Sequence, residues 1–272
     1  MGKKVLVVPD IHGETFWKEP VYKYIDQVDR IVFLGDYLDP YPEEGKEYTP
    51  QGLFDNLMDI IDLKRANMEK VVLLKGNHDQ HYASEKCREL ACASRIDATN
   101  WNIYHVAFGR NADLFKYAHL EDINGIPYLF SHAGLTLNWI NKVNSKIWKL
   151  ADNKISLADP SIIDRINALD DNDEGQEMLS IIGKCRTIIG TKSGSVIWAD
   201  IEEHPYPTAP KAYGLNKVFQ VFGHSRLDRN KADMIVFENI ALIDSEQCFM
   251  IDEGIDEKII THRDYEIISS EH

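Results

Sequence analysis

The chain has 272 residues, 44% hydrophobic and 27% charged, with 30 Lys and Arg against 44 Asp and Glu. That composition suits a globular protein with one large core or two modest ones and argues against a disordered chain. A formal charge of −14 argues against nucleic acid or an anionic membrane as a partner, because attachment to phosphates needs a basic face.

The MGKK start runs directly into VLVV (5–8), an apolar stretch too short for a secretory leader. No segment approaches the roughly 18 apolar residues of a membrane span. The cysteines Cys87, Cys92, Cys185 and Cys248 form no CxxC pair, as expected of reduced thiols in a cytoplasmic protein. Short β-branched runs then recur, each followed by a small or polar cluster: VLVV before PDIHG, RIVFL before GDYLD, KVVLL before KGNHD, and IPYLF before SHAG. Continuous apolar runs of this length predict strands buried on both faces. Residues 51–68 carry apolar positions 53, 54, 57, 58, 60, 61 and 63, which predicts a helix capped by Thr49 with Pro50 in its first turn. A second helix is expected over 80–91, with Asp79 at its entry as a capping residue or as a partner of the polar cluster.

From 95 to 125 the periodicity weakens. Between Ala151 and Ile182 eight acids face only Lys154 and Arg165, and a helical cap inserted at about 151–190 is expected within one domain spanning 1–272. A Pro- and Tyr-rich loop at 205–213 precedes KVFQVFGHS, DMIVFEN, IALIDS and QCFMID, which predict closely spaced strands and hairpins of a second sheet. No internal repeat is present. Alternating strands and helices in the first part predict a mainly parallel sheet, whose ligands bind beyond the carboxyl ends of its strands.

The polar clusters all sit at that end: Asp10 and His12, Asp36 and Asp39, Asn77 and His78, His132, and His224. One histidine after a strand is ordinarily a satisfied surface or capping residue. Five such clusters at one edge would set desolvated, like-charged groups against each other unless cations neutralised them. Imidazole, carboxylate and amide oxygen suit Mn²⁺, Fe or Zn²⁺, and no cysteine competes to soften the site. Two other motifs fail. DDNDEG (170–175) begins like a calcium loop, yet its twelfth position is Ile181, where a bidentate glutamate belongs. GTKSG (190–194) lacks the spacing of a nucleotide P-loop.

In their order, DIH (10–12), GDYLD (35–39), GNHD (76–79), SHAG (131–134) and GHS (223–225) resemble the motif series of the calcineurin-like metallophosphoesterases. GDYLD, HAGLT and VIWAD (196–200) most resemble the branch of serine/threonine phosphoprotein phosphatases and symmetrical diadenosine tetraphosphatases. The resemblance implies an α/β four-layer sandwich, two mixed β-sheets flanked by helices. It implies Asp10, His12 and Asp36 at one divalent metal and Asp36, Asn77, His132 and His224 at a second, with Mn²⁺ ahead of Fe or Zn²⁺. It further implies in-line attack by a metal-activated hydroxide. His78 would be the general acid, with Asp39 holding its ring and raising its pKa, and Gly76 would let the backbone turn tightly.

Two positions depart from the pattern. Arg226 stands where many members carry a further histidine, and is either a phosphate contact or a solvated arginine. Pro40-Tyr41 replaces the Arg-Gly whose arginine grips phosphate in that branch, leaving Arg226, Arg110 and Arg186 as candidate cations. The expected activity is a metal-dependent phosphatase acting on phosphomonoesters or phosphoproteins. A dinucleoside polyphosphate hydrolase is the alternative and would need base stacking from Tyr37, Tyr41 or Trp101. A phosphodiesterase is disfavoured by the negative charge, and a scaffold by the complete ligand set.

Overall fold

The first three apolar runs form Val5–Val8 (β1), Arg30–Phe33 (β2) and Val71–Leu74 (β3), parallel neighbours with Val5 opposite Arg30 and Ile31 opposite Val71. In this computed structural model, residues 2–43, 45–90, 95–186, 193–204, 211–227, 234–237, 239–252 and 265–268 are described. The unbroken hydrophobicity of the runs has a packing cause. Val5, Val7, Val32, Val72 and Leu74 point into one apolar layer, while Leu6, Val8, Ile31, Phe33, Val71 and Leu73 point into another on the opposite face.

The remaining strands are Phe115–Lys116 (β4), Ala118–Ile123 (β5), Ile126–Ser131 (β6), Phe219–Phe222 (β7), Ile235–Phe237 (β8), Ile240–Leu242 (β9), Cys248–Ile251 (β10) and Tyr265–Ile268 (β11). They complete two mixed sheets, β11-β10-β1-β2-β3-β4 and β5-β6-β7-β9-β8. The run QCFMID does not stay with the late strands. β10 crosses to the first sheet and pairs antiparallel with β1, Val5 opposite Ile251. There Phe249 and Ile251 fill the layer between the sheets, and Cys248 and Met250 the outer face.

Helices Lys18–Tyr24 (α1), Pro50–Ala66 (α2), Asn77–Ala83 (α3), Glu85–Leu90 (α4) and Trp101–Arg110 (α5) follow in the first part of the chain. Of these, α1, α2, α3 and α5 put Val21, Leu57, Ile60, Tyr82, Tyr104 and Phe108 into the outer core of the first sheet. α2 begins as expected, with Pro50 in its first turn and the Gly52 N–H donating to Thr49 Oγ1 at 3.1 Å. The expected helix over 80–91 is two helices broken at Ser84, whose backbone is extended. α5 and β5 lie where the periodicity was unreadable. On α5 the buried Trp101, Tyr104 and Phe108 are interleaved with Ile103 and Val106, which are 52% and 47% exposed, so the apolar stripe is blurred. On β5 the buried Glu121 meets Lys3, Arg30 and His119.

Leu137–Val143 (α6), Pro160–Asn167 (α7) and Asp173–Leu179 (α8) cover the outside of the second sheet. Trp139, Ile140, Ile162, Ile166, Met178 and Leu179 pack there with Ala118 and Leu129. The order is therefore helices, sheet, sheet, helices, the expected four-layer α/β sandwich. The acidic segment thus contributes α7 and α8 to the outer layer. Its acids cap and cross-link: Asp159 Oδ1 accepts from the Ser161 N–H at 2.9 Å at the start of α7, and Asp170 meets Lys75 and accepts from Gln80 Nε2 at 2.9 Å. Among the described residues no helix is long and apolar enough to cross a membrane.

Candidate active site

β1, β2 and β3 of the first sheet and β6 and β7 of the second end at the same edge, and the five polar clusters are the residues that follow them. Asp10, His12, Asp36, Asn77, His132 and His224 are all at most 7% exposed. They converge: ligand atoms of Asp10, His12 and Asp36 lie within 4.8 Å of one another, and so do those of Asp36, His132 and His224. Asp36 belongs to both groups. Its Oδ2 is 3.6 Å from His12 Nε2 and 3.4 Å from His132 Nε2. Asn77 Oδ1 joins the second group, 3.1 Å from His132 Nε2.

The loops that carry these groups are held in costly conformations. His12, Asp36, Asp39 and His224 have φ of 46°, 52°, 60° and 66°, a region that costs a non-glycine residue about 1–3 kcal/mol. Backbone bonds hold two of the loops together, from His12 N–H to Asp36 O at 2.6 Å and from Gly13 N–H to Tyr37 O at 3.0 Å. Asp79 adds three more, accepting from the N–H groups of Gly76 (2.8 Å), Asp36 (2.7 Å) and Tyr37 (2.8 Å). It therefore fills both roles weighed for it, capping α3 and fixing the loop of Asp36. Gly76 differs from expectation. Its φ of −94° is extended backbone open to any residue. A Cβ there would instead overlap Asp36 Oδ1 and come within 2.8 Å of His132 Cε1. Gly223 is confined in the same way by Asp10.

The hydrogen bonds orient the imidazoles. His132 Nδ1 donates to Leu34 O at 3.0 Å, and His12 Nδ1 to the carbonyls of Leu38 and Asp39, each at 3.1 Å. Both rings thereby aim Nε2 at Asp36, as metal-ligating histidines do. His132 Nε2 also lies 3.1 Å from His224 Nδ1, and Asp10 Oδ1 and His224 Nε2 are buried without a hydrogen-bond partner among the described residues. Lone pairs meeting lone pairs among buried groups fit divalent cations. Without a cation, protons do the balancing. Burial pushes His132 down, but Asp36 and Asp10 outweigh it and raise it to about 10. Burial would raise Asp36, yet His132 and His78 hold it well below the usual carboxylate range. Burial takes His12 down to about 4 and His224 well below its ordinary value, so both are neutral, as a metal requires.

His78 Nδ1 lies 2.8 Å from Asp39 Oδ2, and Tyr82 OH donates to Asp39 Oδ1 at 2.6 Å. Burial lowers His78, but the charges of Asp36 and Asp39 and the Asp39 hydrogen bond outweigh it, and its pKa is raised. Two partners escaped the sequence. Tyr82 reads as an ordinary helical core residue. Asp244, 4% exposed, follows the apolar run of β9 as the other clusters follow theirs, and that was the available signal. Burial comes first and Asp244 second in raising Asp10 well above the carboxylate range.

A cleft of about 680 Å³ opens on these groups, lined by Asp36, Asn77, His78, His224 and Ser225, by Tyr41, Trp198 and Asp200, and by Arg95, Arg186 and Arg226. Arg110 is not among them. It is exposed at the end of α5, and Arg95, from the stretch without readable periodicity, lines the cleft in its stead. Tyr37 and Trp101, candidates for base stacking, are core residues 1% and 5% exposed, with Tyr37 OH donating to Leu74 O at 2.8 Å and Trp101 Nε1 to His81 O at 2.9 Å. Most of GTKSG lies outside the described residues.

The family model for calcineurin-like phosphoesterases matches residues 3–237. The chain belongs to this family. Phosphoric ester hydrolysis is accordingly its activity, and the buried Asp and His groups are its candidates for divalent metal. Among solved structures, a cold-active protein-tyrosine phosphatase of a psychrophilic Shewanella species is 16% identical with a TM-score of 0.51, covering 92% of this chain and 76% of that one. A protein serine/threonine phosphatase from Saccharomyces cerevisiae with similarity to human phosphatase PP5 is 15% identical with a TM-score of 0.50, covering 99% and 81%. At such identities the likeness is one of fold. Curated proteins offer no match to this phosphoesterase.

Proposed function

We propose that this phosphoesterase is a metal-dependent phosphomonoesterase with two cation sites, acting on phosphoproteins or small phosphoesters. The observation that carries the reading is Asp36, a member of both buried ligand groups. Asp10, His12 and Asp36 would hold one cation, and Asp36, Asn77, His132 and His224 the other. A cation pair held there would supply the nucleophile by acidifying water, and would compensate charge on the phosphoryl oxygens. The absence of cysteine among these residues favours Mn²⁺, Fe or Zn²⁺, with Mn²⁺ first.

His78 is the group to protonate the leaving oxygen. Asp39 at 2.8 Å fixes the ring so that Nε2 is the atom that gives up the proton, and its carboxylate favours the protonated form. Tyr82 holds Asp39 in turn. The −14 charge favours protein or small-molecule esters over polynucleotides. The test compares a nitrophenyl phosphate monoester with the corresponding diester, in Mn²⁺ and then in chelator. Monoester turnover that chelator abolishes is expected. Robust turnover by metal-free enzyme refutes the mechanism, and a strong preference for the diester refutes the substrate class.

A further inference from the structure

We propose that Arg95 is the residue that grips the phosphate oxygens of the substrate, positioned by the ring of Tyr41 and the carbonyl of Asp39. The inference rests on the phosphomonoesterase reading above.

Three guanidiniums line the cleft, and two already face carboxylates. Arg226 Nη2 donates to Glu43 Oε1 and Glu246 Oε1, each at 3.0 Å. Arg186 Nε is 3.2 Å from Asp200 Oδ2, and its Nη2 donates to His224 O at 3.1 Å and Ser225 Oγ at 3.3 Å. Arg95 meets no carboxylate among the described residues. Its Nη2 donates to Asp39 O at 3.0 Å, its Cζ lies 3.8 Å from the Tyr41 ring centroid, and its Nε is buried without a hydrogen-bond partner among the described residues. A partly buried guanidinium with an unused donor has lost hydration that nothing in the protein returns. A phosphate dianion matches both the charge and the forked donor geometry.

The location suits the chemistry. Asp39 O accepts from Arg95 and also from His12 Nδ1 at 3.1 Å, while the carboxylate of the same residue holds His78. One residue therefore fixes Arg95 beside a ligand of the first metal group and beside the proposed acid. The left-handed backbone of Asp39, φ 60°, is what presents carbonyl and carboxylate to these partners. Tyr41 completes the arrangement, with its ring 4.7 Å from that of His12 and Arg226 Cζ 4.3 Å from its centroid. Where the related branch carries Arg-Gly, Pro40-Tyr41 offers an aromatic face on which a distant arginine stacks.

The test uses Mn²⁺-loaded full-length protein with wild-type, Arg95→Ala, Arg95→Lys, Tyr41→Leu and Arg110→Ala forms. KM and kcat for nitrophenyl phosphate, the Kd of inorganic phosphate by calorimetry and the metal content are measured for each. Arg95→Ala should weaken phosphate binding and raise KM at least tenfold at unchanged metal content, with partial recovery in millimolar methylguanidinium. Tyr41→Leu should raise KM several-fold, and Arg110→Ala should leave all values unchanged. Should Arg95→Ala lose metal or fold, Arg95→Lys decides: at least a threefold weaker phosphate Kd is expected, because an ammonium lacks the fork and the stacking plane. An active wild type whose Arg95 variants bind phosphate within twofold of it overturns the inference alone. A wild type inactive on monoesters whose phosphate binding still depends on Arg95 overturns the activity reading and supports the anion site.

Discussion

Asp36 presents one carboxylate oxygen to His12 and His132 and the other, Oδ1, to the His78 N–H at 2.9 Å. Asparagine is nearly isosteric and tolerates the left-handed backbone better than most residues, so Asp36→Asn removes charge with little change of shape. Kinetics and metal analysis of that variant should show kcat lower by at least about a hundredfold, since loss even of a group behind a metal ligand costs 10- to 100-fold. A near-native rate with full metal content would remove Asp36 from its shared position. The six ligand candidates were legible because each sits in a short motif after an apolar run. Tyr82 and Arg95 were not, because each meets Asp39, a neighbour that only folding brings close, whereas Asp244 follows β9 as the others follow their strands but stands in none of the phosphoesterase-like motifs.

At the scale of elements, strand ends and helix starts carry the site, and the sequence reports them unevenly. β1, β2, β3 and α2 were readable because every strand position but Arg30 is buried and α2 has a capping threonine and a first-turn proline. α5 was not, because its exposed Ile103 and Val106 mimic buried positions, and β10 was misplaced because no local signal says which sheet a strand joins. The junction of β3 and α3 is the tightest of these elements. Ala at position 76 would be comfortable at φ −94°, but its methyl would displace the Asp36 carboxylate. Gly76→Ala should therefore lose metal stoichiometry and nearly all turnover while circular dichroism stays native. Native activity would show that Asp36 can move aside without consequence.

Across the whole molecule, the ligand candidates divide between the sheets, with Asp10, His12, Asp36 and Asn77 following strands of one and His132 and His224 following strands of the other. Cations bound among them would fasten the two sheets together and would have no equivalent in the unfolded chain. Ligand at about 100 times its Kd stabilises by roughly 2.7 kcal/mol, and a domain of this size gains roughly 2–4 °C in Tm per kcal/mol. Scanning calorimetry should thus show Mn²⁺ raising Tm by about 5–10 °C, with chelator reversing the rise and Asp36→Asn abolishing it. An unchanged Tm would mean that the folded protein gains nothing from the ion.

The return of β10 to the first sheet has a further consequence. It covers the outer flank of β1, whose Val5–Val8 backbone would otherwise be a bare hydrophobic rim, a template for strand addition by other copies. A fragment cut near residue 245 would keep all six metal-ligand candidates yet expose that rim, and self-association would overtake catalysis as its fate.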